Sequence, residues 1–454
     1  MKRYLILLLF FAPSLAFAAG SGGSSHSVGI IFFWIAIILL LAKISGLIEK
    51  FGQPSVLGEL LIGIVIGNLG LLGFHYFEPI RDNEIIKFLS ELGVVLLLFQ
   101  IGLESDIHKM KQVGLKAFMV ACAGVVVPFV LGTFVIGPWL APELSFNAYL
   151  FIGATLTATS VGITARVFQD LKKIDIPEAR IVLGAAVIDD VLGLIILAIV
   201  SAVVTAGGVT AGSIAVIFFK AAAFLVLSIV VGRIMAEKLG IILSKISSGT
   251  GMKLTLALSF GLIFAYLAQL IGLAPIVGAF AAGLILDAVH FKQFAGPKYM
   301  LNVDEALPNI DQKIAHNIQE NLLLQKEKHV EDLIEPIGHL LIPIFFVLTG
   351  MSVNIMSFAN PKILLMALAI TVAAVIGKAV SGLFAGKNMN RWLVGVGMIP
   401  RGEVGLIFAM IGKSLNVISE DMFSALVIMV VLTTLVTPPV LAKLLKKMDI
   451  KPAA

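Results

Sequence analysis

Stretches of about 20 apolar residues recur from Val28 to Leu445, separated by short segments in which Gly, Pro, Lys and Asp gather. Each stretch is long enough to cross a hydrocarbon core about 30 Å thick. Lipid offers the backbone no hydrogen-bond partner, so each stretch must close its own bonds as a helix. The pattern predicts thirteen spans, near residues 28–48, 55–74, 86–104, 114–140, 147–168, 180–205, 212–235, 252–272, 274–289, 335–353, 362–386, 391–413 and 420–445. The expected fold class is an all-α polytopic membrane protein, and the composition agrees: 59% hydrophobic and 13% charged, against roughly 25% charged in soluble domains.

The two halves of the pattern match each other in order. Leu96-Leu97-Leu98-Phe99-Gln100-Ile101-Gly102 aligns with Ile344-Phe345-Phe346-Val347-Leu348-Thr349-Gly350; Pro54, Gly58 and Gly63 align with Pro275, Gly278 and Gly283; and Ser160-Val161-Gly162-Ile163 aligns with Glu403-Val404-Gly405-Leu406. Six spans, a linking span and six more make the second unit enter from the opposite side, giving an inverted-topology repeat of the kind many secondary transporters share. Repeat 1 covers 28–205, the linker 212–235 and repeat 2 252–445. The segment Phe291 to Glu335 interrupts this symmetry as a cytoplasmic insert, amphipathic around Asn317 to Leu333, and reads either as a solvated loop helix or as a regulatory element.

At the N-terminus, Lys2 and Arg3 precede an apolar run, and Ala16-Phe17-Ala18 offers a small-x-small cleavage site, so residues 1–18 are expected to be a signal peptide. With that end exported, Lys109 and Lys111, Lys172 and Lys173, Lys238 and Lys245, Lys387 and Arg391, and the C-terminal Lys443, Lys446, Lys447 and Lys451 fall on the cytoplasmic side, while the loops Pro142 to Asn147 and Thr205 to Ser213 carry no Lys or Arg. This is the positive-inside bias. It makes the +5 net charge a statement of orientation and no sign of nucleic-acid binding.

Charges within the spans are few, which makes each informative. The sixth span carries Asp189 and Asp190 midway, and the eleventh carries Lys378, too deep to reach the interface as Lys362 and Lys387 can. Adjacent helical residues point about 100° apart, so one acid can meet Lys378 while the other faces a water-filled cavity. Such a pair can also serve only to hold the bundle together. The fifth span, with Thr155, Thr157, Thr159, Ser160 and Gly162, and the twelfth, with Gly395, Gly397, Pro400, Gly402 and Gly405, make poor continuous helix and are expected to break at mid-membrane. Glu403 could then neutralise the positive half-helix ends and Arg401 the negative ones. Glu59, a lone acid in the second span, either lines an access funnel or pairs locally near the interface.

The segments Ala158 to Arg166, Gly184 to Val191 with its Asp189-Asp190 pair, and Gly397 to Leu406 resemble the monovalent cation:proton antiporter 2 family, close to its NapA-like Na⁺/H⁺ members. The resemblance implies a core bundle with two crossed discontinuous helices, a dimerisation domain, and a homodimer working by an elevator-like motion. By matching position it makes Asp190 the cation and proton site and the Na⁺ ligand, Asp189 the partner of Lys378, Thr159 and Ser160 neighbours of the ion at the first break, and Glu403 the residue that balances the crossing. Relatives that act as gated K⁺ efflux systems usually have Gln at the first acid and a C-terminal nucleotide-binding domain; here the position is Asp189 and the sequence ends soon after Lys451.

A carboxylate held out of water beside an ammonium can be poised to take either H⁺ or Na⁺ near neutral pH, and competition for one site gives exchange. The expectation is therefore a secondary antiporter of the bacterial inner membrane that exchanges Na⁺, or Li⁺, for H⁺. It has its N-terminus outside and its C-terminus inside, needs no cofactor, and has lipid, protons and monovalent cations as partners. K⁺/H⁺ exchange and a gated cation channel are the alternatives. No nucleophile with its base, no metal cluster and no phosphate loop points to an enzyme.

Overall fold

The structure, a computed structural model, describes residues 28–51, 53–104, 114–174, 176–205, 211–286, 294 and 312–449. The expected signal peptide and much of the insert lie outside the described residues. The described chain is all helical with no strand: α1 Val28–Ser45, α2 Ser55–Gly67, α3 Glu84–Glu104, α4 Gly114–Val130, α5 Phe146–Thr157, α6 Val161–Asp170, α7 Pro177–Thr205, α8 Ala211–Ile246, α9 Thr250–Leu270, α10 Pro275–Ile285, α11 Gln312–Met351, α12 Pro361–Ala379, α13 Arg391–Gly397, α14 Glu403–Ser414 and α15 Glu420–Asp449.

Local chemistry places the ends. Ser145, Asn360 and Asn390 cap α5, α12 and α13 by accepting from the backbone N–H groups of Ala148, Lys362 and Leu393. Gly272, at φ +83°, turns the chain after α9 in a backbone conformation that only glycine adopts freely, and Pro275 opens α10 three residues later.

Among the described residues nine helices are long and apolar enough to span a membrane, against thirteen spans expected. The difference has physical reasons. The second and ninth spans are short apolar helices, α2 and α10, of 13 and 11 residues. The twelfth is split into α13 and α14. The seventh corresponds to α8, whose apolar run from Ile214 to Gly232 holds the single charge Lys220. The insert and the tenth span, expected as separate pieces, share one helix, since α11 runs from Gln312 to Met351 through Pro336 and Pro343.

The helices pack as two bundles. One, the scaffold, consists of α1, α2, α3, α9, α10 and the C-terminal half of α11; the other consists of α4 to α7 and α12 to α15, with α8 lying against α7, α9 and α10. Three helix pairs dominate the scaffold, α10 with α3, α11 with α3 and α11 with α2, and the repeat-related glycines account for the first and the last. A Cβ on Gly63 would strike the Val347 carbonyl and one on Gly350 the Leu60 carbonyl; equivalently, one on Gly283 would strike the Phe99 carbonyl and one on Gly102 the Phe280 carbonyl. Backbone touches backbone, so a bulky side chain has nowhere to go. Gly63→Leu or Gly283→Leu is therefore expected to lower stability by more than the ~1–3 kcal/mol of ordinary overpacking, read as loss of a monodisperse peak after detergent extraction.

Candidate functional site

The expected helix breaks are both present, and they meet. α5 stops at Thr157 and α6 starts at Val161, with Ala158 and Ser160 between them in extended conformations (ψ 141° and 108°). α13 stops at Gly397 and α14 starts at Glu403. Pro400, which has no N–H, gives its carbonyl to the Ser160 N–H at 2.8 Å. Around that contact Thr159 Oγ1 donates to Met398 O at 3.3 Å and Thr164 Oγ1 to Gly397 O at 2.7 Å. Gly402 permits the approach, since a Cβ there would lie 2.7 Å from the Ser160 side chain. Peptide groups that lose their helical partners at one break thus find them at the other, as burial requires.

The crossing leaves helix ends inside the protein. Arg401, fully buried, donates from Nη1 to Met398 O at 3.4 Å and from Nη2 to Ala374 O at 3.1 Å, which sets its charge at the carbonyl end of α13 and ties that end to α12. Glu403 is the first residue of α14, at the N–H end. Both charges sit where the half-helix dipoles favour them.

Asp189 and Asp190 lie on α7 beside the crossing, and their environments differ as the helical angle predicts. Lys378 Nζ donates to Asp189 Oδ1 at 2.6 Å, with both side chains wholly buried. Gly124 of α4 leaves room for that ammonium, since even an added Cβ would stand 3.5 Å from Nζ. Asp190 belongs to no ion pair among the described residues, and its electrostatic neighbours are Asp189, Glu403 and Lys378. Asp189 Oδ2 and Asp190 Oδ1 are buried without a hydrogen-bond partner among the described residues. The structure thus brings Asp189, Asp190, Lys378, Thr159, Ser160, Arg401 and Glu403 to one place. In that place Asp189 is paired with an ammonium and Asp190, among the described residues, is not.

Glu59 stands apart from this group. It lies on α2, 7% exposed, in the wall of a cavity of about 880 Å³ that Lys43, Glu49, Gln100, Glu335 and His339 also line. A smaller cavity of about 120 Å³ sits between the first turns of α2 and the crossing, with Pro54, Val56 and Leu60 on one side and Ser160, Glu403 and Thr434 on the other. Thr434 was not evident from the sequence. Its hydroxyl donates to the Arg401 carbonyl inside the break, and the signal that could have found it is the Thr433-Thr434-Leu435-Val436-Thr437 run ahead of two prolines in an otherwise apolar span.

Comparison with known proteins bears on the family and the fold. The family model described as "Sodium/hydrogen exchanger, transmembrane" matches residues 35–296 and 314–447. The chain is 32% identical over 442 residues to the high-affinity Na⁺/H⁺ antiporter NhaS3 of Synechocystis, covering 89% of this chain and 87% of that one. It is 34% identical over 418 residues to the Na⁺/H⁺-K⁺ antiporter GerN of Bacillus cereus, covering 90% and 95%. Its fold resembles that of the sodium proton antiporter MjNhaP1 of Methanocaldococcus jannaschii, with a TM-score of 0.66 at 16% identity over 93% of this chain and 99% of that one.

Proposed function

The chain belongs to the transmembrane sodium/hydrogen exchanger family, and on that premise we propose that it is a secondary antiporter exchanging Na⁺, and Li⁺, for H⁺ across a bacterial inner membrane. The observation that carries the reading is the half-buried carboxylate of Asp190, whose Oδ1 is buried without a hydrogen-bond partner and which has no ion-pair partner among the described residues, one residue from the Asp189–Lys378 pair at the meeting of two broken helices. A carboxylate so placed binds either a proton or a desolvated monovalent cation, and occupancy by one excludes the other. Thr159, Ser160 and the freed carbonyls of the crossing supply the neutral oxygens that a cation leaving water requires. Arg401 and Glu403 keep the two half-helix pairs electrically balanced as the ion comes and goes.

The exchange proceeds by alternating access, with α4 to α7 and α12 to α15 moving as a unit against the scaffold in an elevator-like way. The glycine contacts that recur between α2 and α11 and between α10 and α3 support an inverted repeat. Two copies of the chain associate through the scaffold, with the N-terminus outside after removal of the signal peptide and the C-terminus in the cytoplasm. Glu59 and its cavity serve as an access funnel.

A second reading, K⁺/H⁺ exchange, is favoured by the similarity to GerN, whose name includes K⁺. Proteoliposomes carrying an imposed proton gradient separate the two. Collapse of the gradient on addition of Na⁺ or Li⁺ supports the first reading and collapse on K⁺ alone the second. A cation flux that leaves the gradient untouched would indicate a channel and overturn both.

A further inference from the structure

The seam between scaffold and mobile bundle is different at its two ends. At one end α2 begins, and Pro54, Val56 and Leu57 face Gly162, Glu403 and Thr434 across the cavity of about 120 Å³. At the other end, on the face where α1 begins, polar groups close the seam. Glu420, at the start of α15, meets Arg81 of the scaffold loop between α2 and α3 at 3.7 Å and Lys413 of α14 at 3.6 Å. Lys413 Nζ donates to the Ser352 carbonyl at 3.1 Å and sits 4.8 Å from the centre of the Phe423 ring. The Asn354 N–H donates to Ser424 Oγ of α15 at 3.3 Å.

Ser352 and Asn354 belong to the link from α11 to α12, and that link is fixed to the scaffold. Asn68, at the end of α2, donates from Nδ2 to Val353 O at 2.8 Å and accepts at Oδ1 from the Ile355 N–H at 3.0 Å. The mobile bundle's α14 and α15 are thus tied on this face to two scaffold segments, the loop holding Arg81 and the link that Asn68 holds. A bundle that slides along the seam cannot keep the Glu420–Arg81, Lys413–Ser352 and Asn354–Ser424 contacts, which bridge it, while the Glu420–Lys413 pair lies within the bundle and holds Glu420 in place.

We propose that Glu420, with Arg81 and Lys413, is a latch across the seam that must open each time Asp190 changes the face to which it is exposed, and that Glu420 is accordingly a positioning residue for exchange. The proposal rests on the alternating-access reading above. Each tie is partly exposed and individually weak, as a latch that opens in every cycle must be. The carboxylate of Glu420 is the common partner of both cations, so its removal loosens the latch most.

Two experiments test it. The Asn354 N–H lies 3.3 Å from Ser424 Oγ, so the two residues stand side by side across the seam, and Cys122 is the only native cysteine. In a Cys122→Ala background, Asn354→Cys with Ser424→Cys is expected to exchange cations when reduced, to lose at least nine-tenths of its exchange when oxidised, and to recover with reductant. Oxidised, cross-linked protein that exchanges at the reduced rate overturns the latch. In sided vesicles, Glu420→Gln is expected to lower the apparent KM for the cation on the latched face about two- to fivefold, the scale of an exposed ion-pair network, with Glu420→Asp restoring it; equal KM shifts on both faces overturn the proposal even if the double-cysteine variant fails to fold. Both assays are run with Na⁺ and with K⁺. A protein that carries only K⁺ ends the Na⁺ reading and leaves the latch to be decided by the same data.

Discussion

Asp190→Asn is expected to abolish cation-driven proton flux while the protein folds and extracts as the wild type does. Asn keeps the shape of Asp but neither titrates nor offers a full negative charge, so both exchanged ions lose their common site. The fold is spared because Asp190 makes no ion pair and Asp190 Oδ1 accepts no hydrogen bond among the described residues. Its electrostatic neighbours include two other acids, Asp189 and Glu403, so neutralising it removes like-charge repulsion at a half-buried position. The measurement is paired: dye-quench flux in proteoliposomes, and thermal unfolding of the same preparation in detergent. Lost flux with an unchanged or raised midpoint is the expected result. Retained Na⁺-driven flux would sink the assignment of the site.

Lys378→Met is expected to have the opposite signature, a large loss of stability. It strands the Asp189 carboxylate, wholly buried and previously bonded at 2.6 Å, without its cationic partner. Breaking a buried pair in this way costs about 3–5 kcal/mol. Arg401, whose charge also acts on Asp189, tempers the loss. Adding Asp189→Asn to Lys378→Met removes the stranded charge and is expected to recover most of the midpoint, since a neutral pair of similar volume can replace a buried ion pair with little change in stability. The double variant also separates the two roles that Lys378 can have. If exchange returns with stability, the pair only holds the bundle together; if stability returns without exchange, the pair takes part in transport.

These two residues mark how far the sequence could be read. A charged side chain in the middle of an apolar run is expensive wherever the helix lies, so Asp189, Asp190 and Lys378 declared themselves without any knowledge of packing. The breaks were equally local: hydroxyls at Thr159 and Ser160, and Pro400 between Gly397 and Gly402, compete with helical hydrogen bonding in any context. The glycine matches at Gly63 and Gly283 also showed directly, because a repeat that must bring backbones together keeps its glycines. What stayed hidden depends on distance in the chain. Thr434 holds the Arg401 carbonyl across 33 residues, and Asn68 holds the Val353 carbonyl across 285. Thr, Asn, Lys and Glu near helix ends are ordinary, and nothing in their neighbours shows which distant carbonyl they hold. The spans were located well where a helix is long and apolar and poorly where tertiary packing permits a short one, as in α2 and α10.

The glycine contacts of the scaffold bear on motion as well as on assembly. Gly63 lies between Ile62 and Ile64, and Gly283 between Ala282 and Leu284, so advancing either helix by one residue would drive a side chain into the carbonyl that the glycine now touches. The scaffold is therefore locked in register, like a stator whose teeth allow a single setting. On the exchange mechanism proposed above, strain from ion binding could not be absorbed by sliding within the scaffold and would fall on the seam along which α2 faces the crossing.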